Sequence, residues 1–267
     1  MNTLPAIHIA DNYLINPTNP VTVNLIGAGG TGSQMLTALA KMNYSLVTLG
    51  HAGLHVNLFD DDLITEFNQG RQPFSDSEVG CCKSVILINK LNRSIGTNWK
   101  AVTKKFESRN VCRLPEQGKA NLYISCVDTV AARFDIAKAL FQMSGYSRYE
   151  RNNPLYWMDL GNSQYTGQAI LSTITEVKQP PSKLYRTVSI LPMVTEEFKD
   201  LLEAETDNNE PSCSHAEALE KQYLFINTAV ATMGAEILKD LFRNGMTENR
   251  GVFINLKELR TTPLKVA

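Results

Sequence analysis

The sequence predicts an α/β chain organised around a doubly wound, mostly parallel sheet, and three observations carry that expectation. Apolar strand-like runs alternate with runs of helical periodicity over most of the chain. A glycine cluster, Gly27-Ala28-Gly29-Gly30-Thr31-Gly32, stands directly between the first strand-like run and the first helical one. The second strand-like run ends on an acid, Asp60. Strand, glycine turn, helix and a strand ending on a carboxylate make a βαβ unit, so the fold expected is Rossmann-like.

Each element follows from its local pattern. Residues 21–26 are apolar and β-branched enough for a buried strand, and residues 33–49 hold Met35, Leu36, Leu39, Met42 and Leu46 at helical spacing. Residues 55–60 form the second strand, and the polar stretch 61–79 follows it. Val85, Ile86, Ile88 and Leu91 predict a helix from about Gly80 to Arg93, and residues 101–106 a short strand. Residues 121–128 read as a central strand, 130–143 as a helix, and 156–161 and 168–174 as further strands. Between 176 and 215 the periodicity decays. Residues 196–210 hold seven acids against the single base Lys199, which predicts an exposed excursion. A long helix over 216–242, closed by Asn244-Gly245, and a strand over 251–257 complete the chain. One domain spanning 1–267 is expected: a nucleotide-binding core (1–175), an acidic cross-over segment (176–215), then a C-terminal helix and strand (216–267).

Composition narrows the function classes. At 267 residues the chain can bury a substantial core, and a net charge of −1 offers no positive field for nucleic acid or an anionic membrane. The first twenty residues lack both basic residues and a continuous apolar run, unlike a secretory signal, and no stretch approaches a membrane span. Five cysteines, at 81, 82, 112, 126 and 213, are odd in number and contain no Cys-x-x-Cys pair. No zinc site of the usual spacing is expected, and a reducing cytoplasm is.

Gly27, Gly29 and Gly32 satisfy G-x-G-x-x-G in the strand-to-helix context that gives the motif its meaning. Glycine permits the tight turn and close backbone approach to phosphate, and the helix N-terminus behind it offers free N–H groups and partial positive charge. The loop alone does not choose between ATP and NAD, because Asp60 suits a ribose hydroxyl in either case. Asp60 lies 33 positions beyond Gly27, which requires an extended first helix or following loop. Asp61 and Asp62 read as solvated acids in a turn. Asn68, Arg71 and Gln72, with Lys83 twelve residues after Arg71, favour ATP. Cations and amide donors converging on an α-phosphate would stabilise the charge that develops there and on the departing pyrophosphate. Asp128 ends a central strand, where open α/β sheets bind ligands, and a carboxylate there suits Mg²⁺ bridging the phosphates. Taken alone, it also suits a cap for the helix after it.

The ordered set Gly27-Ala-Gly-Gly-Thr-Gly-Ser33, Asp60-Asp-Asp62, Asn68…Arg71-Gln72, Val79-Gly80…Lys83, Cys126-Val-Asp128 and Asp159-Leu-Gly161…Gly167-Gln168 resembles the ThiF/MoeB/ubiquitin-activating (E1-like) superfamily. Pro211-Ser-Cys-Ser214 and the helix behind it resemble ThiF-type proteins of the PRTRC systems of bacterial mobile elements. The resemblance implies an adenylyltransferase. The C-terminal carboxylate of a small ubiquitin-like protein ending in glycine would attack the α-phosphate of ATP, giving an acyl-adenylate. It places Gly30 under the phosphates, Asp60 on the ribose, Asn68, Arg71 and Lys83 on the phosphates, and Mg²⁺ on Asp128. It also implies a homodimer. Two departures stand out: the first cation in the chain is Lys41, so no N-terminal arginine is expected to complete the site, and the zinc-binding cysteine pairs of many relatives are missing. Cys213, followed by His215 and the long helix, is a candidate thioester nucleophile, against the reading of a buried structural thiol. Cys81, Cys82 and Cys126 read as packing residues. A nucleotide-binding scaffold without activity and an NAD(P)-dependent oxidoreductase are the alternatives.

Overall fold

A computed structural model describes residues 4–68, 72–109, 116–144, 151–204 and 223–267. Its centre is an eight-stranded sheet in the order β11-β10-β7-β6-β5-β2-β3-β4. These strands are β2 (Val21–Ile26), β3 (Leu54–Phe59), β4 (Lys100–Val102), β5 (Leu122–Ser125), β6 (Tyr156–Asn162), β7 (Thr166–Thr173), β10 (Asn249–Asn255) and β11 (Arg260–Lys265). From β4 to β6 the pairing is parallel, and from β6 to β11 it is antiparallel. The chain runs outward from β2 through β3 to β4, then returns to lay β5 against the other side of β2. The switch point of the sheet therefore lies between β2 and β5, where ligands bind beyond the carboxyl ends of strands.

Seven helices accompany the sheet: α1 (Asn12–Ile15), α2 (Gly30–Thr48), α3 (Lys83–Ile95), α4 (Val130–Ser144), α5 (Val194–Glu197), α6 (Lys199–Ala204) and α7 (Ile226–Asn244), counted among the described residues. Alternation along the strands separates two cores, as a period of two requires. Val23 and Leu25 of β2 pack with Met35 and Leu39 of α2, Leu87 of α3 and Leu238 of α7 on one face. Phe59, Tyr123 and Trp157 pack with Ile136 and Leu140 of α4 and Leu202 of α6 on the other. Helices on both faces make the sheet doubly wound, as expected.

Several boundaries differ from the sequence expectation. α2 begins at Gly30, not 33, because Gly30 and Gly32 enter the first helical turn. α3 begins at Lys83, since Gly80 takes a φ of +86° in a turn before it. The 33-residue span from Gly27 to Asp60 holds the 19 residues of α2, a short loop and the six residues of β3, so the extension lies in the helix. α7 is described from Ile226 and ends on Gly245 in the left-handed region at φ +67°, as its Asn-Gly signal predicts. The acidic stretch carries α5 and α6 up to Ala204. β11 and a separate sheet of β1 (Ala6–Ile9), β8 (Arg186–Thr187) and β9 (Met246–Thr247) were not expected.

Candidate functional site

The carboxyl ends of three adjacent strands, β3, β2 and β5, bring Asp60, the glycine loop and Asp128 to one edge of the sheet. Gly27 leaves β2 at φ +97°, and an added Cβ would stand 2.7 Å from the Cys126 carbonyl oxygen. At Gly32 it would stand 1.9 Å from the Gly27 carbonyl oxygen, so the first turn of α2 closes directly onto the loop. At Gly30 it would meet Asn227 Nδ2, at the start of α7, at 2.5 Å. Gly29 is the N-cap of α2, with open space around the missing Cβ and no side chain capping the helix. The first-turn N–H groups of α2 are thus left without a capping side chain, an arrangement that suits phosphate.

Asp60 Oδ2 accepts the Ala28 N–H at 2.6 Å and Oδ1 accepts the Asp62 N–H at 3.0 Å, so one carboxylate ties the glycine loop to the turn after β3. Burial pushes its pKa upward, against the Ala28 N–H and the Lys83 charge, which pull it down. Lys83, the first residue of α3, reaches Asp62 Oδ2 at 2.7 Å. Asp62 is therefore exposed, as expected from sequence, and is in addition the counter-ion of Lys83. Asn68 Oδ1 accepts the Thr65 N–H at 2.9 Å, within its own turn. Gln72 Oε1 is buried and has no hydrogen-bond partner among the described residues. Arg71 lies outside the described residues, as do Cys213, His215 and Cys112.

Asp128 is exposed three residues beyond the end of β5. It does not cap α4. That role falls to Thr129, whose hydroxyl accepts the Ala132 N–H at 3.2 Å. Among the described residues no three His, Cys, Asp or Glu side chains gather as a metal site. Asp128 alone would hold Mg²⁺ only together with nucleotide phosphates and water, a donor set typical of that ion. Burial, with the negative Asp159 nearby, raises the Cys126 pKa, so this thiol is a poor nucleophile.

Three groups at this edge were not singled out from sequence. The Thr31 hydroxyl is shared between the side-chain oxygens of Asn162 at 2.9 Å and Asn227 at 2.8 Å, linking α2 to β6 and α7. Arg133 is buried against Asp159 of β6, at 3.2 Å. Arg133 falls in helical register with Ile136 and Leu140, both in the core, and a charge on that stripe was the available signal. Beside this edge a cavity of about 450 Å³ opens between β7, β10 and the α5–α6 segment, lined by Gln168, Ile170, Phe198, Leu202, Phe253 and Arg260 among others. Gln168 joins the two regions, because the space above Gly161 is bounded by Gln168 Nε2 and Arg133 Nη2. No helix among the described residues is long and apolar enough to cross a membrane.

A doubly wound α/β sheet, a glycine turn feeding a helix N-terminus at its switch point, and acids on the flanking strand ends define a nucleotide-binding class of protein. The sequence matches the ThiF family over residues 16–267, and the chain belongs to that family. No curated protein matches the sequence. Among solved structures it is similar to E. coli MccB with MccA-N7isoASN, at 15% identity and a TM-score of 0.58, over 92% of this chain and 64% of that one. E. coli MccB with ATP gives 15% identity and a TM-score of 0.57, over 92% and 63%. PaaA gives 13% and 0.58, over 92% and 64%. These likenesses show the fold, and the chain spans somewhat under two thirds of each of those proteins.

Proposed function

We propose that this chain is an adenylyltransferase that activates the C-terminal carboxylate of a peptide or small protein, with a ubiquitin-like protein ending in glycine as the finer reading. The observation that carries this is the placement of the uncapped α2 N-terminus, Asp60, Lys83 and Asp128 around one switch point. Membership of the ThiF family supports it, as do fold neighbours captured with ATP and with MccA.

In this reading a carboxylate oxygen attacks the α-phosphorus of ATP. A new O–P bond forms, the bond to the bridging oxygen breaks, and pyrophosphate leaves with that electron pair. The glycine loop and α2 N–H groups hold phosphate, and Asp60 takes a ribose hydroxyl while keeping its bond to Ala28. Lys83 and Arg71 balance the developing charge, and the side-chain amides of Asn68 and Gln72 donate to it. Mg²⁺, when bound at Asp128 and the phosphates, neutralises charge on the departing group. The cavity bounded by Gln168 and Phe253 supplies a path for the chain end that carries the carboxylate. Transfer to Cys213 as a thioester, and a homodimeric assembly, are further parts of the proposal.

ATP–pyrophosphate exchange tests it, run with a ubiquitin-like protein ending in a free glycine and with the same protein amidated at its C-terminus. Exchange with the first and none with the second is expected. Equal exchange with both would show that no carboxylate is activated.

A further inference from the structure

A buried polar network beneath the Asp128 loop has no part in the chemistry above. On β6, Asp159 Oδ1 accepts the Ser125 hydroxyl at 2.7 Å and Oδ2 accepts Arg133 Nε at 3.2 Å, while Trp157 Nε1 donates to Ser125 Oγ at 2.8 Å. The Arg133 and Asp159 side chains are only 5% and 1% exposed. Apolar residues of similar volume stabilise a core at least as well as a buried ion pair does. The guanidinium fork offers something else, two fixed donors at once. Its Nη2 donates to the Val127 carbonyl at 2.9 Å, one residue before Asp128.

The loop so held is packed from both sides. The Cys126 N–H donates to Ile26 O at 2.8 Å, and the Cys126 carbonyl and Cβ occupy the space facing Gly27 and Gly32. Across the loop, a Cβ on Gly161 would fall 2.6 Å from Arg133 Nη2. Residues 126–127 therefore sit between the glycine loop and the Arg133 fork. We propose that Arg133, seated on Asp159, is a positioning residue that holds Asp128 in register with the glycine loop and so sets the Mg²⁺ requirement of nucleotide binding. This rests on the adenylation reading. It also gives Asp159-Leu160-Gly161 a purpose: the acid seats the guanidinium and the glycine leaves room for it.

The test titrates MgCl₂ against thermal stabilisation by ATP, with ATP affinity in EDTA measured alongside. Arg133→Lys keeps a cation beside Asp159, but a single ammonium cannot serve both Asp159 and Val127. Gly161→Ala puts a methyl 2.6 Å from Arg133 Nη2 and 2.5 Å from Gln168 Nε2, so, read beside Gln168→Ala as the control for the second contact, it carries the test should Arg133→Lys fail to fold. Arg133→Lys and Gly161→Ala are both expected to raise the Mg²⁺ midpoint about tenfold, the usual cost of losing a group that orients a metal ligand. Affinity for metal-free ATP should be unchanged, and neither substitution should add to the effect of Asp128→Asn. Folded variants with the wild-type Mg²⁺ midpoint would overturn the proposal, as would an equal loss of metal-free ATP affinity, which would place the effect on the glycine loop. Wild-type protein that ATP and Mg²⁺ together do not stabilise would remove the adenylation reading, and this inference with it.

Discussion

Lys83 Nζ lies 2.7 Å from Asp62 Oδ2, and the Lys83 N–H donates to the Asp62 carbonyl at 3.0 Å, so side chain and backbone join the same two residues. The pair is asymmetric: the lysine side chain is 10% exposed and the aspartate 66%. Asp62 can return to water with little penalty, whereas the ammonium needs a counter-ion where it is. A phosphate arriving at the α2 N-terminus would take over that duty. Asp62→Asn should therefore lower the melting temperature of the free protein and enlarge the shift produced by ATP, with about 2–4 °C per kcal/mol for a chain of this size. Lys83→Ala should cut pyrophosphate exchange by about 10²–10³ while weakening ATP binding far less. Full exchange in Lys83→Ala would remove Lys83 from the chemistry.

Gly29 and Gly32 belong to one motif but serve different ends. An added Cβ at Gly32 would overlap the Gly27 carbonyl oxygen at 1.9 Å, where only backbone is available to give way, so Gly32→Ala should destabilise by at least about 1–3 kcal/mol. The same change at Gly29 meets nothing within 4 Å and costs under about 1 kcal/mol as a weaker N-cap. Gly29→Ala should nevertheless weaken ATP binding, because a methyl then stands where phosphate must approach the backbone. Denaturant midpoints and ATP titrations of the two variants separate these effects. Normal ATP affinity in Gly29→Ala would mean the phosphates lie elsewhere.

ATP with Mg²⁺ should stabilise the fold and NAD should not, since a buried lysine and an uncapped helix accompany the loop and Asp60. At a hundredfold excess over Kd, a ligand bound only to the native state contributes about 2.7 kcal/mol, readable in a melting curve. Stabilisation by NAD alone would return the chain to the oxidoreductase alternative.

Much of this edge was legible in the sequence because each feature is local. The six buried residues of β2, the glycine turn and the strand ending before Asp60 are contiguous patterns. Gly245 announced the end of α7 by the left-handed conformation that only such residues adopt readily. What escaped depends on partners distant in sequence. β1, β8 and β9 are two to four residues long and lie far apart in the chain, too short for any periodicity to register. β11, Arg-Thr-Thr-Pro-Leu-Lys, is an edge strand whose proline and charges suit a position with one free side, and it reads as loop. Asp62 is exposed as expected, but its second role as the Lys83 counter-ion was hidden because that partner begins a helix 21 residues later.

The small sheet carries a pH dependence of its own. His8 of β1 is fully buried, with Nδ1 2.7 Å from the Val188 carbonyl and Nε2 2.8 Å from the Tyr156 hydroxyl. A carbonyl can only accept, so Nδ1 carries the proton and Nε2 accepts from Tyr156, whose oxygen in turn accepts the Asp11 N–H at 3.0 Å. Protonating Nε2 would set two donors against the Tyr156 oxygen and strand the phenol hydrogen. Burial accordingly lowers the His8 pKa, against the Val188 bond, which raises it. With the folded value below the unfolded one of about 6.5, the unfolded chain takes up the proton first as pH falls. The stabilisation is complete above about pH 6.5 and is lost progressively below it, down to the folded value. His55 acts in the same direction, lowered by burial and by the charges of Lys100 and Arg151. Denaturant midpoints at about pH 7.5 and 5.5 should therefore drop for the wild type, and drop less for His8→Gln, which donates to Val188 but does not titrate; His55 supplies the remainder. Equal drops in both proteins would show that the His8 imidazole does not couple protonation to folding.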